Sequence, residues 1–259
     1  MSRILGRAVA DPAFRHRLLE DPKAAIGSSD LSEVEAAEVV SVFSRVDEAI
    51  FYQTLGALVL HHLIAYPVGE RFIVLPKETA NPQPKRLPIY LTKYIGFGNG
   101  SHPTTRLCIG ALERLLRPGM SVLDMGTGSA ILAVTAAKLG AARVLALDIE
   151  EEILPDARAN VALNNVSSVV IVKEGSLELA LQSNQMPFDL ILVNILASVL
   201  QDFLRQGLTN CFNADGLLIA SGITPKDVQF VETAITASGL KTIESQEEDG
   251  WVAIIARKT

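Results

Sequence analysis

The run SVLDMGTGSAILAVTAAKLGAARVLALD, residues 121–148, restricts the fold more than any other stretch of the chain. Ser121–Met125 reads as a buried strand, Gly126-Thr127-Gly128 as a tight turn, Ala130–Leu139 as a helix and Arg143–Asp148 as a second strand. Glycines let the backbone turn sharply and approach a ligand closely. The helix start behind them offers unpaired N–H groups and the positive end of the helix dipole, which suit an anion, either a phosphate or a carboxylate. Asp148 ends the second strand 22 residues after Gly126, where a carboxylate can accept hydrogen bonds from both hydroxyls of a ribose.

Strand–helix alternation continues to the end of the chain. Further strands are expected at Val169–Lys173, Phe188–Asn194, Gly216–Ser221, Leu240–Glu247 and Trp251–Arg257. Helices are expected at Pro103–Leu116, Glu151–Asn164, Ala197–Thr209 and Pro225–Ser238. The last two strands meet across Asp249-Gly250, a hairpin turn signal. The predicted fold is therefore α/β, a Rossmann-like sheet that is mostly parallel and closes in a C-terminal antiparallel hairpin.

Residues 1–66 have a different pattern. Asp11-Pro12 and Asp21-Pro22 each read as an N-cap followed by proline in the first helical position. Ser32 and Glu35 fit a capping box before Val39, Val42, Phe43 and Val46, and Ile50, Leu55, Leu58 and Leu63 continue the helical spacing. Residues 67–95 carry five prolines around two extended runs, Arg71–Leu75 and Pro88–Tyr94, and read as an extended connector or hairpin. The expected organisation is a helical region over 1–66, a connector over 67–95 and an α/β domain over 96–259.

Composition narrows the class of ligand and partner. With 259 residues, 49% hydrophobic, the chain can bury a substantial core. Its 23 basic and 29 acidic residues leave a net charge of −6, a balance that argues against nucleic acid as a partner. The apolar window 49–66 is broken by Gln53, Thr54, His61 and His62 and reads as a buried helix, so no membrane span is expected. Cys108 and Cys211 belong to no Cys-x-x-Cys pair, which fits a reducing cytoplasm and two buried small hydrophobes. His61 and His62 point about 100° apart on a helix and do not share a metal; no metal site is expected.

The glycine turn can be tested against known ligand classes. A dinucleotide fingerprint needs a third glycine where Ile131 stands, and a phosphate-binding loop needs Gly-Lys-Ser/Thr, which is missing. Asp124, just before the turn, would repel a pyrophosphate but can receive an ammonium. A ligand with an amino-acid end, a ribose and no phosphate suits all of this, and S-adenosylmethionine is one. Two more segments bear on the site. GFGNGSHPTTRLC, residues 96–108, has alternating glycines before a helix whose first turn carries Thr104 and Thr105, with His102 as a candidate base. FDLILVNILA, residues 188–197, ends a strand in Asn194, at the carboxyl edge where ligands of open α/β sheets bind. An amide there donates and accepts, and so can orient an amine. The same residues also allow a structural reading: a bare strand–helix turn at Gly126 and Gly128, helix caps at Asp124, Thr104 and Asn194, and packing at Trp251.

In order and spacing, GFGNGSHPTT, VLDMGTGSAILAVTAAKLGA, LALDIEEEILPDARANVALNNV, FDLILVNILA and GLLIASGI resemble the PrmA family, methyltransferases of a large-subunit ribosomal protein, L-eleven. The resemblance spans roughly residues 67–257. It implies a class I methyltransferase fold, S-adenosylmethionine as cofactor, and methyl transfer to an amine of a protein or peptide. It places ligand positions on Thr105, Gly126, Asp148 and Asn194, makes Gly128 part of the turn, and suggests Ser176, after Gly175, for the adenine amine. With the readings above, the candidate set is Asn194, His102 and Thr104 for catalysis, and Thr105, Asp124, Gly126, Gly128, Asp148, Ser176 and Asn194 for the cofactor. Ala130 replaces the family's third glycine, which predicts a slightly altered turn. Residues 1–66 depart from the family's small α/β substrate module and are expected to recognise substrate or to form a homodimer through their helices, with Phe51, Leu55 and Leu58 read as core or dimer interface. The stretch DPAFRHRLLEDPKAAI with Leu31-Ser32-Glu33 looks somewhat like leader segments of ribosomally made peptide natural products. A tailoring methyltransferase for such peptides or small molecules, and a cofactor-binding partner without turnover, stay open as alternatives.

Overall fold

Asp11 and Asp21 each start a helix as their sequence context dictates. In the computed structural model, which describes residues 4, 7–8, 11–27, 33–44, 65–77, 80–92 and 99–259, the Asp11 carboxylate accepts the Phe14 N–H at 2.9 Å and opens α1, Pro12–Glu20. The Asp21 carboxylate accepts the Ala24 N–H at 3.0 Å and opens α2, Pro22–Ile26. Both satisfy N–H groups that a helix start leaves unpaired. The Phe14 N–H also holds the Asp11 carboxyl below its ordinary range. Phe14 and Leu18 are buried on α1, and Val39 and Phe43 on α3, Glu33–Phe43. The capping box at Ser32, the pair His61/His62 and the expected core or dimer interface at Phe51, Leu55 and Leu58 lie outside the described residues.

The proline-rich stretch folds into a three-stranded sheet, β1-β2-β3, from Tyr66–Val68, Phe72–Pro76 and Leu87–Leu91. The β1–β2 pair is antiparallel but β2 and β3 are parallel, Phe72 opposite Leu87 and Pro76 opposite Leu91, so the two extended runs do not form a hairpin. The segment between them carries the chain back to the start of β3, held by Asn81, whose amide donates to the Arg86 carbonyl at 2.9 Å. These elements belong to one compact unit, Met1–Tyr94; Ile95–Thr259 forms a second.

The second unit is a seven-stranded sheet in the order β6-β5-β4-β7-β8-β10-β9. Its strands are β4 Ser121–Met125, β5 Arg143–Asp148, β6 Val170–Glu174, β7 Phe188–Asn194, β8 Phe212–Ile223, β9 Leu240–Glu248 and β10 Trp251–Lys258. The first five run parallel and β10 is antiparallel to both neighbours. The chain moves outward from β4 to β6 and then returns to place β7 on the other side of β4. The carboxyl ends of β4 and β7 therefore flank the point where strand order reverses, which is where open α/β sheets bind ligands.

Central parallel strands are covered on both faces and so read as continuous apolar runs. Leu123, Met125, Ile191, Val193 and Leu218 pack on one face, against Leu200 and Leu204 of α8, Ala197–Arg205, and Val231 and Ile235 of α9, Val228–Ala237. By the two-residue alternation of a strand, Asp124 belongs to the opposite face. Edge strand β9 begins at buried Leu240 and then alternates exposed and half-buried positions, as a strand covered on one side does. Among the described residues, no helix is long and apolar enough to cross a membrane.

Some boundaries differ from expectation for local reasons. β8 starts at Phe212 rather than Gly216, with an irregular register between its pairings to Phe188 and Leu190 and left-handed Asp215. The helix begun at Ala197 ends at Arg205, because Gly207 is left-handed (φ 97). Single 3₁₀ turns, Glu151–Ile153 and Pro225–Asp227, precede α6, Leu154–Leu163, and α9. A five-residue helix, α7, Leu177–Leu181, was too short for periodicity to reveal.

Gly222, near the end of β8, has φ 83, and a Cβ there would lie 2.2 Å from the Ile195 carbonyl oxygen. Backbone cannot yield as a side chain does, so Gly222→Ala should cost more than about 3 kcal/mol. Urea unfolding of variant and parent measures the loss.

Candidate active site

The end of β5 shapes the glycine turn. The N–H groups of Gly126 and Thr127 both donate to the Leu147 carbonyl, at 2.8 and 2.9 Å, and the Gly128 N–H donates to Asp148 Oδ2 at 2.9 Å. Asp148 Oδ1 accepts the Glu150 N–H at 3.2 Å. Each oxygen of this carboxylate thus accepts one backbone N–H and keeps further acceptor capacity. Gly126 is left-handed (φ 70), and a Cβ on it would meet Ile195 Cγ2 at 2.6 Å. Ala130, which stands where the family has its third glycine, adopts the left-handed conformation (φ 63) and opens α5, Ile131–Lys138.

Asp124 lies beneath the turn, 1% exposed, with the Thr127 hydroxyl donating to its Oδ2 at 2.6 Å. Burial pushes its carboxyl up to about 7; the Thr127 hydroxyl opposes the shift and the Asp148 charge adds to it. The backbone N–H of Ala133, in the first turn of α5, also favours its charged form. Asp124 also raises the buried Cys108 thiol, after burial itself, and Cys211 is buried as well, its thiol raised to about 11.

Thr104 and Thr105 lie in the first turn of α4, Pro103–Leu115, and both are fully buried. His102 is the N-cap: its Nδ1 accepts the Thr104 N–H at 3.4 Å and shares a 2.8 Å hydrogen bond with the Thr104 hydroxyl. Burial, then the Arg106 charge, lower its pKa to about 4, with Asp249 opposing, so the ring is neutral near pH 7. Thr105 Oγ1 is buried with no hydrogen-bond partner, and so is Asn194 Oδ1 at the end of β7. Orphaned buried acceptors are costly in a protein and call for an explanation, most simply a ligand. Ser176 follows Gly175, whose N–H donates to the Asp148 carbonyl at 2.9 Å, and stands half-buried at the start of α7 with no capping bond from its side chain. Neighbouring strands β6, β5, β4 and β7 thus bring Ser176, Asp148, the glycine turn and Asn194 to one edge. Gly96 and Gly98 lie outside the described residues.

Sequence reasoning passed over three residues. Thr127 stands inside the turn motif and its hydroxyl was a legible partner for Asp124. Asn160 on α6 is 1% exposed and donates to the Ser129 carbonyl at 3.0 Å, with no local signal. Arg106 reaches Glu248 and Asp249 across more than 140 residues of sequence, a pairing no local pattern encodes. Among the described residues, no group of three His, Cys, Asp or Glu is placed to hold a metal ion.

Comparison with known proteins gives this arrangement its class. The crystal structure of a ribosomal protein L11 methylase from Lactobacillus delbrueckii subsp. bulgaricus matches with TM-score 0.67 and 32% identity, covering 75% of this chain and 99% of that one. The fold is that of the class I methyltransferases. A family model described as "Ribosomal protein L11 methyltransferase (PrmA)" matches residues 60–259. The enzyme of that name from Chloroflexus aurantiacus is 42% identical over 218 residues, 74% of this chain and 66% of its own length. Its counterpart from Exiguobacterium sibiricum is 41% identical over 197 residues, 76% of this chain and 59% of its own length. The chain belongs to the PrmA family, and it spans less than two thirds of the length of these relatives.

The Asp124 carboxyl has a consequence for stability. Its folded-state pKa, about 7, lies above its ordinary value, so its favourable contribution is complete in acid and is lost as pH rises from about 4 through 7. Asp124→Asn keeps the shape and the Thr127 contact. At pH 8 the ligand-free variant should be more stable than its parent, by up to about 4 kcal/mol, and at pH 4 the two should match. Urea unfolding at both pH values tests this.

Proposed function

We propose that this chain is an S-adenosylmethionine-dependent methyltransferase that methylates an amine nitrogen of a protein. The observation that carries this reading is the pair of buried, unpartnered oxygens, Thr105 Oγ1 and Asn194 Oδ1, at the edge that also carries the acids Asp124 and Asp148. The relatives are named for methylation of ribosomal protein L11, and a ribosomal protein amine is the acceptor we assign. Those names favour a protein acceptor over peptide tailoring and over cofactor binding without turnover.

The residues fit the cofactor. Asp148 retains acceptor capacity for a ribose diol, and Asp124, ionised above about pH 7, suits an ammonium. The Thr105 hydroxyl can donate to a carboxylate, and Ser176 stands at the neighbouring strand end for the adenine amine. Bound there, the cofactor supplies a methyl group on a sulfonium, a good leaving group. Two carboxylates and a neutral His102 keep the site receptive to a cationic ligand.

Asn194 Oδ1 accepts an N–H of the incoming amine and so aims its lone pair, and alignment of this kind supplies much of the rate. The amine must be neutral to react, and loss of water around it lowers its pKa. His102 and Thr104 act by fixing the first turn of α4, and with it the Thr105 hydroxyl.

Full-length protein with labelled cofactor and ribosomal protein L11 should yield methylated product by mass spectrometry; transfer only to short peptides would reassign the acceptor. In calorimetry with S-adenosylhomocysteine, Asp148→Ala should weaken binding most among the site variants, by about a hundredfold, since it removes a charged acceptor. Asn194→Ala should lower kcat by more than it raises Kd, and unchanged turnover would remove it from the reaction.

A further inference from the structure

Arg106 follows Thr105 directly in α4, yet its side chain turns away to the far end of the chain. It is 7% exposed. Nε donates to Glu248 Oε1 at 2.9 Å and Nη2 to Asp249 Oδ2 at 2.7 Å, with Nη2 also 2.7 Å from Glu248 Oε1. Nη1 donates to the Ser101 carbonyl. Asn99 Oδ1 in turn accepts both the N–H and the hydroxyl of Ser101, at 2.9 and 2.6 Å. One guanidinium therefore joins the loop before α4, the first turn of α4 and the tip of the β9–β10 hairpin. A second link runs beside it, with the Trp251 ring edge-to-face against His102 at 4.9 Å between centroids. The hairpin tip is a tight turn: Asp249 and Gly250 are both left-handed (φ 50 and 71), the conformation that matches strand twist.

All these bonds are made on either side of Thr105, whose buried hydroxyl is left without a partner. We infer that Arg106, gripped by Glu248 and Asp249, is a positioning residue: through it the β9–β10 hairpin holds the His102–Thr105 turn so that the Thr105 hydroxyl faces the cofactor. The inference rests on the cofactor reading above. It gives the antiparallel closing hairpin a part in binding. A planar guanidinium suits the task because it meets two carboxylates and a carbonyl at once in a fixed plane, which an ammonium cannot do.

The test uses the full chain, with S-adenosylhomocysteine as probe. In the ligand-free protein, Arg106→Gln should speed amide hydrogen exchange in a peptide covering residues 99–108 and leave β4 to β8 protected. Its Kd for the probe should rise about tenfold, as should that of Thr105→Val, and the double variant should be no worse than either single one, because both act through one hydroxyl. Should Arg106→Gln fail to fold, Glu248→Gln combined with Asp249→Asn serves in its place, since asparagine tolerates the same left-handed turn. Unchanged exchange over 99–108, or effects on Kd that simply add, would overturn the inference. A parent chain that does not bind the probe would refute the cofactor reading, and the exchange measurement would still decide whether the hairpin orders the turn.

Discussion

The bonds from the end of β5 to the glycine turn hold the site in shape. Two N–H groups on the Leu147 carbonyl and one on Asp148 commit the chain to a reversal at residues 126–128. That reversal needs left-handed backbone, which glycine adopts freely and alanine only at a cost of about 1–2 kcal/mol. Ala130 adopts it nonetheless, in a segment tied by its own N–H to the Thr127 carbonyl and by Asn160 on the Ser129 carbonyl. The same reversal covers Asp124 and aligns Asp148, so one set of backbone bonds sets the position of both carboxylates.

Charge at the site is arranged on two levels. Near the turn, burial and then the neighbouring Asp148 charge disfavour ionisation of Asp124, an acidic setting that suits a cationic ligand and repels a phosphate. Farther along α4, the cation of Arg106 is matched by Glu248 and Asp249, so that it helps keep His102 neutral without drawing an anion into the cofactor's place. Ile195 joins the two sides, its side chain against Gly126 and its backbone against Gly222. Neither neighbour carries a Cβ, and this close approach sets the path of the chain just after Asn194.

Much of the α/β unit was legible because its signals are local. Continuous apolar runs, the Gly126–Gly128 turn, the capping aspartates at 11 and 21 and the Asp249-Gly250 turn each act within a few residues. The seven strands were therefore placed to within a few positions, and the candidate site residues could be tied to strand ends and one helix start. The proline-rich stretch shows where this fails: its two extended runs were visible, but their parallel pairing depends on where the intervening segment leads the chain, which prolines do not record.

The sequence by itself determined the succession of strands and longer helices in the α/β unit, the glycine turn and the acids beside it, because period, turn chemistry and caps are short-range properties of the chain. Only the tertiary structure decided that β7 lies beside β4, that Asp124 is buried to the point of holding a proton near neutrality, that His102 is a neutral cap, and that Arg106 binds a hairpin more than 140 residues away. Those outcomes depend on desolvation and on contacts between distant segments, and both come into being only when the sheet closes around them.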